Sequence, residues 1–278
     1  MGIAVFRSWH GYLLSASGND HRSHLSVAIC FAVLPPIAQD PHYHAFADGR
    51  TLHGVPNFWN VISNIPFFLV ALYGIRALRS RTAFVEPGER IAYAVLLAGT
   101  VAVGVGSTYY HLQPDNARLV WDRLPMTAVF MSLVAVTIGE RISMKAGKLL
   151  LLPTILLGFG SVAYWHSSGD LRLYCVVQFG SILTVPLILA LFPPRYSAAG
   201  HLWFVVALYV FAKIAELLDH EIAAVVATGG HPWKHFAAAA AIFLYLRAVA
   251  CRGPLQTPVV APGRLRSPVV LLLQGESQ

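Results

Sequence analysis

The chain has 278 residues, of which 56% are hydrophobic and only 12% charged, and its mean hydropathy is +0.60. That balance excludes an ordinary soluble domain and places the chain in a bilayer. The formal net charge of +7 does not point to nucleic acid, because the basic residues sit in short connections between apolar runs, where they set topology and meet anionic headgroups.

In chain order, residues 1–25 are expected to be loosely ordered. "SVAICFAVLPPIAQD" (26–40) follows Arg22 and offers about a dozen apolar residues before Pro35-Pro36, short for a span. It reads either as a signal peptide's apolar region or as one extra N-terminal helix. Seven apolar runs follow, at roughly 58–78, 91–110, 120–139, 149–165, 172–192, 202–218 and 234–250. Each approaches the ~20 residues that cross a bilayer as a helix. The expected fold is all-α: a polytopic transmembrane bundle of seven core helices in one domain (26–250), with 251–278 as a tail. Arg76, Arg79, Arg81 and Arg90, then Arg141, Lys145 and Lys148, then Arg195, then Arg247, Arg252, Arg264 and Arg266 fall in alternate connections. Their side is therefore cytoplasmic, and so is the C-terminus. Arg7 and Arg22 join that side if the extra helix is present, which favours the helix over the signal peptide. The opposite connections carry Asp115 with Arg118, Asp170 with Arg172, and the acidic Asp219 and Glu221.

Ionisable groups inside such spans are costly and mark function. In "GVGSTYYHLQPDNARLVWDRLP" (104–125), Ser107 and His111 lie one turn apart near the end of the second core helix. Pro114 and the polar run around it turn the chain back, so Asp122 returns to the depth of His111. The same alternation brings "GGHPWKHF" (229–236) to that side, with His231 and His235 one turn apart. A lone histidine near a helix end is ordinarily interfacial or hydrogen-bonded, and His10, His21, His24, His42, His44, His53, His166 and His201 are read that way. Convergence sets His111, His231 and His235 apart. Three imidazoles with a fourth position open describe a catalytic zinc site, and such an ion lowers the pKa of a bound water from ~15.7 toward ~7. Asp122 is placed either to accept and return a proton or to orient a ligand. Ser107 is placed to hydrogen-bond the oxyanion of a tetrahedral intermediate. A nucleophilic Ser-His dyad is less favoured, since the metal claims His111.

These residues resemble the alkaline ceramidases and the wider superfamily of seven-helix membrane hydrolases that contains the adiponectin-receptor group. The likeness runs through "NFWNVISN" (57–64), the SxxxH of Ser107 and His111, Asp122, and the HxxxH of His231 and His235. "QDPHYHAFADGRTLHGVPNFWNVISN" looks most like bacterial ceramidase-domain proteins. The resemblance implies zinc on His111, His231 and His235, with Asp122 and Ser107 in the roles above. It implies hydrolysis of the N-acyl amide of ceramide or a related lipid to a fatty acid and a sphingoid base. The partners it implies are a lipid substrate and the bilayer, with no nucleic acid and no obligatory protein partner. The location is an integral multi-pass protein, in the inner membrane if bacterial. Eukaryotic members carry an acidic calcium loop and a Glu before "FWN", whereas here Asn57 stands there and only Asp40 and Asp48 are acidic nearby. A hard cation wants several carboxylate or carbonyl oxygens, so calcium is not expected at this loop.

Asn60, Ser63 and Asn64 are expected to hydrogen-bond across helices, with a substrate role as the alternative. Lys213 and Glu216 read as a structural pair, with a link to the metal site as the alternative. Cys30, Cys175 and Cys251 are isolated and read as core packing. A receptor, scaffold or transporter with a structural metal is the rival class, and the chain lacks the inverted repeat of broken helices that marks many transporters.

Overall fold

The computed structural model describes residues 35–80, 83–84, 88–197 and 199–255. Backbone groups in hydrocarbon must pair within their own segment, and each long apolar run is helical. The elements are α1 (Phe58–Ile62), α2 (Ile65–Arg79), α3 (Glu89–Leu112), α4 (Asn116–Arg141), α5 (Met144–Ser168), α6 (Arg172–Leu191), α7 (His201–Leu217), the short α8 (Asp219–Ala223) and α9 (His231–Cys251). The unit α1–α2 and helices α3, α4, α5, α6 and α9 are each long and apolar enough to cross a bilayer. With 17 residues, α7 is about 25 Å long and stands at the lower bound of ~17 residues for a span. The fold is an all-α polytopic bundle, with helices at all seven expected positions.

Within the candidate extra helix, residues 35–39 are not helical; residues 26–34, the N-terminal 1–25 and the tail beyond Leu255 lie outside the described residues. The start of the tail is docked: Leu255 N–H donates to the Arg195 carbonyl (2.9 Å), and Ser197 N–H to that of Gly253 (2.9 Å). Among the cysteines, Cys175 is half-buried and Cys251 exposed, so the core-packing expectation fails for Cys251, which ends α9; Cys30 lies outside the described residues.

Short connections make sequence neighbours antiparallel, and the two ends of the bundle differ in chemistry. At one end the buried Arg252 guanidinium stacks on Tyr196 (3.8 Å to the ring centre) and donates to Glu140 (2.5 Å) and the Tyr93 hydroxyl (3.0 Å). Arg141 donates to the Phe192 carbonyl at the same end (2.8 Å). At the other end Asp115 caps α4 by accepting from Arg118 N–H (2.7 Å). There too, Asp170 pairs with Arg172 (2.7 Å), and that hydrogen-bonded pairing holds its carboxyl below the usual range.

One contact fixes the depth of α4 beside α3. Pro125 lies inside α4 and has no N–H, so the Trp121 carbonyl loses its intrahelical donor. That carbonyl faces Gly106 of α3, where a Cβ would stand 2.0 Å from the oxygen. The glycine lets the two helices meet at the level of the neighbouring Ser107 and Asp122.

Candidate active site

His111 ends α3, while His231 and His235 occupy the first turns of α9. The fold brings the three together with their donor atoms within 4.8 Å of one another, all buried (1%, 4% and 4% exposed). Their ring centres form a near-equilateral triangle of 4.9, 5.0 and 4.9 Å. His111 Nε2 and His231 Nε2 are 3.3 Å apart. Nitrogens at ~2.0–2.1 Å from a tetrahedral zinc are themselves ~3.3–3.4 Å apart, so the spacing fits that ion. His111 Nδ1 is buried without a hydrogen-bond partner.

Ser63 sets the third ring. Its hydroxyl donates to the Asn60 carbonyl (3.1 Å) and lies 2.7 Å from His235 Nδ1. When the hydroxyl gives its one proton to the Asn60 carbonyl, His235 donates from Nδ1 and its Nε2 keeps a free lone pair for a metal. Ser63 thus makes the hydrogen bond across helices that was expected of it, and its partner, 172 residues away, is one of the three clustered histidines.

The start of α9 is capped from a distance. Asp219 Oδ1 accepts from His231 N–H (2.8 Å) and Oδ2 from Ala47 N–H (2.9 Å). Gly229, in the left-handed region at φ +69°, permits this, because a Cβ there would lie 2.4 Å from Asp219 Oδ1. The Ala47 contact belongs to a strap, residues 35–57, that the sequence reading did not resolve. Phe46 packs on His111 and His231 (ring centres 4.7 and 4.5 Å). His44 bonds both the Tyr110 hydroxyl (2.9 Å) and Asn116 (2.9 Å), a hydrogen-bonded histidine as expected. Gln39 accepts from Arg123 (2.8 Å), whose guanidinium lies between Trp165 (4.2 Å) and Tyr174 (4.6 Å). Burial, with the Glu216 carboxylate adding to it, pushes the Tyr43 phenol above its usual pKa. Asp48 pairs with Arg50 (2.6 Å), and the Asn57 amide donates to the His111 carbonyl (2.9 Å).

Ser107 and Asp122 meet across the α3–α4 contact and line, with His235, one cavity of about 1270 Å³ including its open mouth. Polar groups gather at the ligand end, and below them the walls are Val, Leu, Ile, Phe and Met as far as Tyr245. From His235 to Tyr245 is ten residues of α9, about 15 Å. Glu216 pairs with Lys213, as expected, and also with Lys234 (2.6 Å). The sequence signal for Lys234 was its charge inside "HPWKH", beside His235. The arrangement joins a buried three-imidazole cradle, a carboxylate, a hydroxyl and a deep apolar slot, the parts needed to act on an amphiphile at its polar junction.

The family model for ceramidases matches residues 51–192, just over half of the chain. The chain belongs to the ceramidase family. A comparison with curated proteins found no match. Family membership implies a hydrolase acting on amide bonds and a lipid substrate. The matched stretch contains Ser63, Ser107, His111 and Asp122; His231 and His235 lie beyond it, and their convergence on His111 is an independent observation from the fold.

Proposed function

We propose that this ceramidase-family protein is a zinc-dependent intramembrane hydrolase that cleaves the N-acyl amide of ceramide or a related lipid. The observation that carries the reading is the position of three buried imidazoles, Asp122 and Ser107 at the polar end of a long apolar cavity. His111, His231 and His235 would hold the ion. When bound there, zinc acidifies a water and polarises the amide carbonyl.

The protein's own groups do the rest. The apolar walls from Met126 to Ile242 take the acyl chain, which leaves the amide among Ser107, Asp122 and His235. Ser107 donates to the carbonyl oxygen as it gains negative charge. Asp122 accepts a proton from the attacking water and delivers it to the departing nitrogen. A C–O bond forms, the C–N bond breaks, and the products are a fatty acid and an amine. Phe46 and the strap exclude bulk water from the ligand end. The basic end of the bundle faces the cytoplasm by the charge rule, which turns the site toward the opposite side.

Asp122→Asn tests this division of labour. The expected outcome is a folded protein that keeps its zinc and loses ~100- to 10,000-fold in rate, followed as fatty acid released from a long-chain N-acyl sphingoid substrate in detergent. Turnover at the parent rate with zinc bound would make the aspartate structural.

A further inference from the structure

His235, Ala238, Ala241 and Tyr245 all line the cavity, and spacings of three and four residues put them on one face of α9. In "HFAAAAAIFLY" (235–245) that face starts at one of the clustered histidines, passes two alanines and ends at an aromatic ring. Alanine leaves room beside the helix, and the ring closes it. The distance from His235 to Tyr245 along the axis, about 15 Å, equals one leaflet of a bilayer's ~30 Å hydrocarbon core. Tyr245 is held in place from behind. It is buried, its ring stacks on that of Tyr93 with centres 5.7 Å apart, and the two hydroxyls hydrogen-bond at 2.9 Å. Tyr93 also donates to Glu140, which accepts from Arg252 at 2.5 Å. Tyr245 lines both this cavity and a smaller one at the basic end, lined also by Glu140, Arg141 and Arg252. The ring is therefore a partition between an apolar slot and a charged compartment. Turning it aside would break a buried hydrogen bond and bring a methyl group against an ion pair, and both are costly.

We propose that Tyr245 is the stop that sets the longest acyl chain the slot admits, so that chains of ordinary membrane length are preferred and very long ones are rejected. This rests on the reading that the apolar walls take the acyl chain of an amide cleaved at the opposite end. Lipid tails in a micelle are as apolar as the slot, so transfer into it gives no advantage to length and fit decides. A chain that ends before Tyr245 is accommodated. One that runs past it must displace the ring, and overpacking of that kind corresponds to about 5- to 150-fold.

The test uses purified full-length protein in one mixed micelle with N-lauroyl-, N-palmitoyl- and N-lignoceroylsphingosine, followed as sphingosine released. In the parent protein kcat/KM for the palmitoyl substrate is expected to exceed that for the lignoceroyl one by about 5- to 150-fold. Tyr245→Ala should close most of that gap, while Tyr245→Phe, which keeps the ring, should preserve it. Ala241→Leu fills the slot one turn nearer His235 and should move the preference from palmitoyl to lauroyl. A palmitoylsphingosine with a diazirine near its methyl end reads the same stop without turnover, and its label is expected on Tyr245 and the residues around it. Equal handling of palmitoyl and lignoceroyl substrates by the parent, as for a chain that leaves the slot sideways, overturns the proposal. So does an unchanged profile in folded Tyr245→Ala; where that variant fails to fold, the parent and Ala241→Leu decide. Labelling at Tyr245 without turnover of any substrate supports the stop and sinks the hydrolase reading; turnover without a length limit does the reverse.

Discussion

At the scale of single residues, the chemistry depends on which nitrogen each imidazole presents. Ser63 bears on this for His235, because its hydroxyl lies 2.7 Å from His235 Nδ1 and 3.1 Å from the Asn60 carbonyl that can take its proton. Ser63→Ala should therefore weaken zinc about 10- to 100-fold, the usual effect of losing a partner that orients a ligand, with thermal stability little changed; competition against a chelator measures it. An unchanged zinc affinity would leave His235 oriented by packing alone. The three clustered histidines were legible in the sequence because HxxxH and SxxxH are local patterns on one helix face. Ser63 was visible as a polar residue in a span but not as a partner of His235, because only the tertiary fold joins positions 172 apart. Lys234 was unread for the same reason: its partner Glu216 is on another helix.

Among elements, the α3–α4 contact brings Ser107 and Asp122 together. The close approach of Gly106 to the Trp121 carbonyl, left free by Pro125, admits no methyl group. Gly106→Ala should cost about 1–3 kcal/mol by overpacking, read as a lower thermal midpoint. It should also cut turnover by moving Ser107 away from Asp122, while zinc stays on α3 and α9; parent-like activity would show that the helices can part without harm. Helix positions were legible to within a few residues because apolar run length is a local property. The strap was not, since its anchors, Asp170, Arg123, Asp219 and Tyr110, come from the α5–α6 connection, α4, α8 and α3. Nor was the break between α1 and α2 at Ser63 and Asn64, which interrupts a continuous apolar run to turn a hydroxyl toward His235.

For the whole molecule, the bundle is polar along its axis. Arg141, Arg195 and Arg252 gather at one end, and the metal cradle lies at the other, ringed by the exposed Tyr109, Trp121 and Trp233 at the level where aromatic side chains meet headgroups. With the three native cysteines replaced by serine, Arg79→Cys should resist a membrane-impermeant thiol reagent applied from outside, and Ala117→Cys should react; the opposite pattern would turn the site toward the cytoplasm. The central claim is that zinc on three histidines makes this apolar cavity an amide hydrolase. The most direct measurement is fatty-acid release from an N-acyl lipid as zinc is titrated into chelator-stripped protein. Activity should rise with bound zinc and level off near one ion per chain, and His231→Ala should stay inactive at every concentration. Full turnover in the stripped protein, or none with one zinc bound, would contradict it.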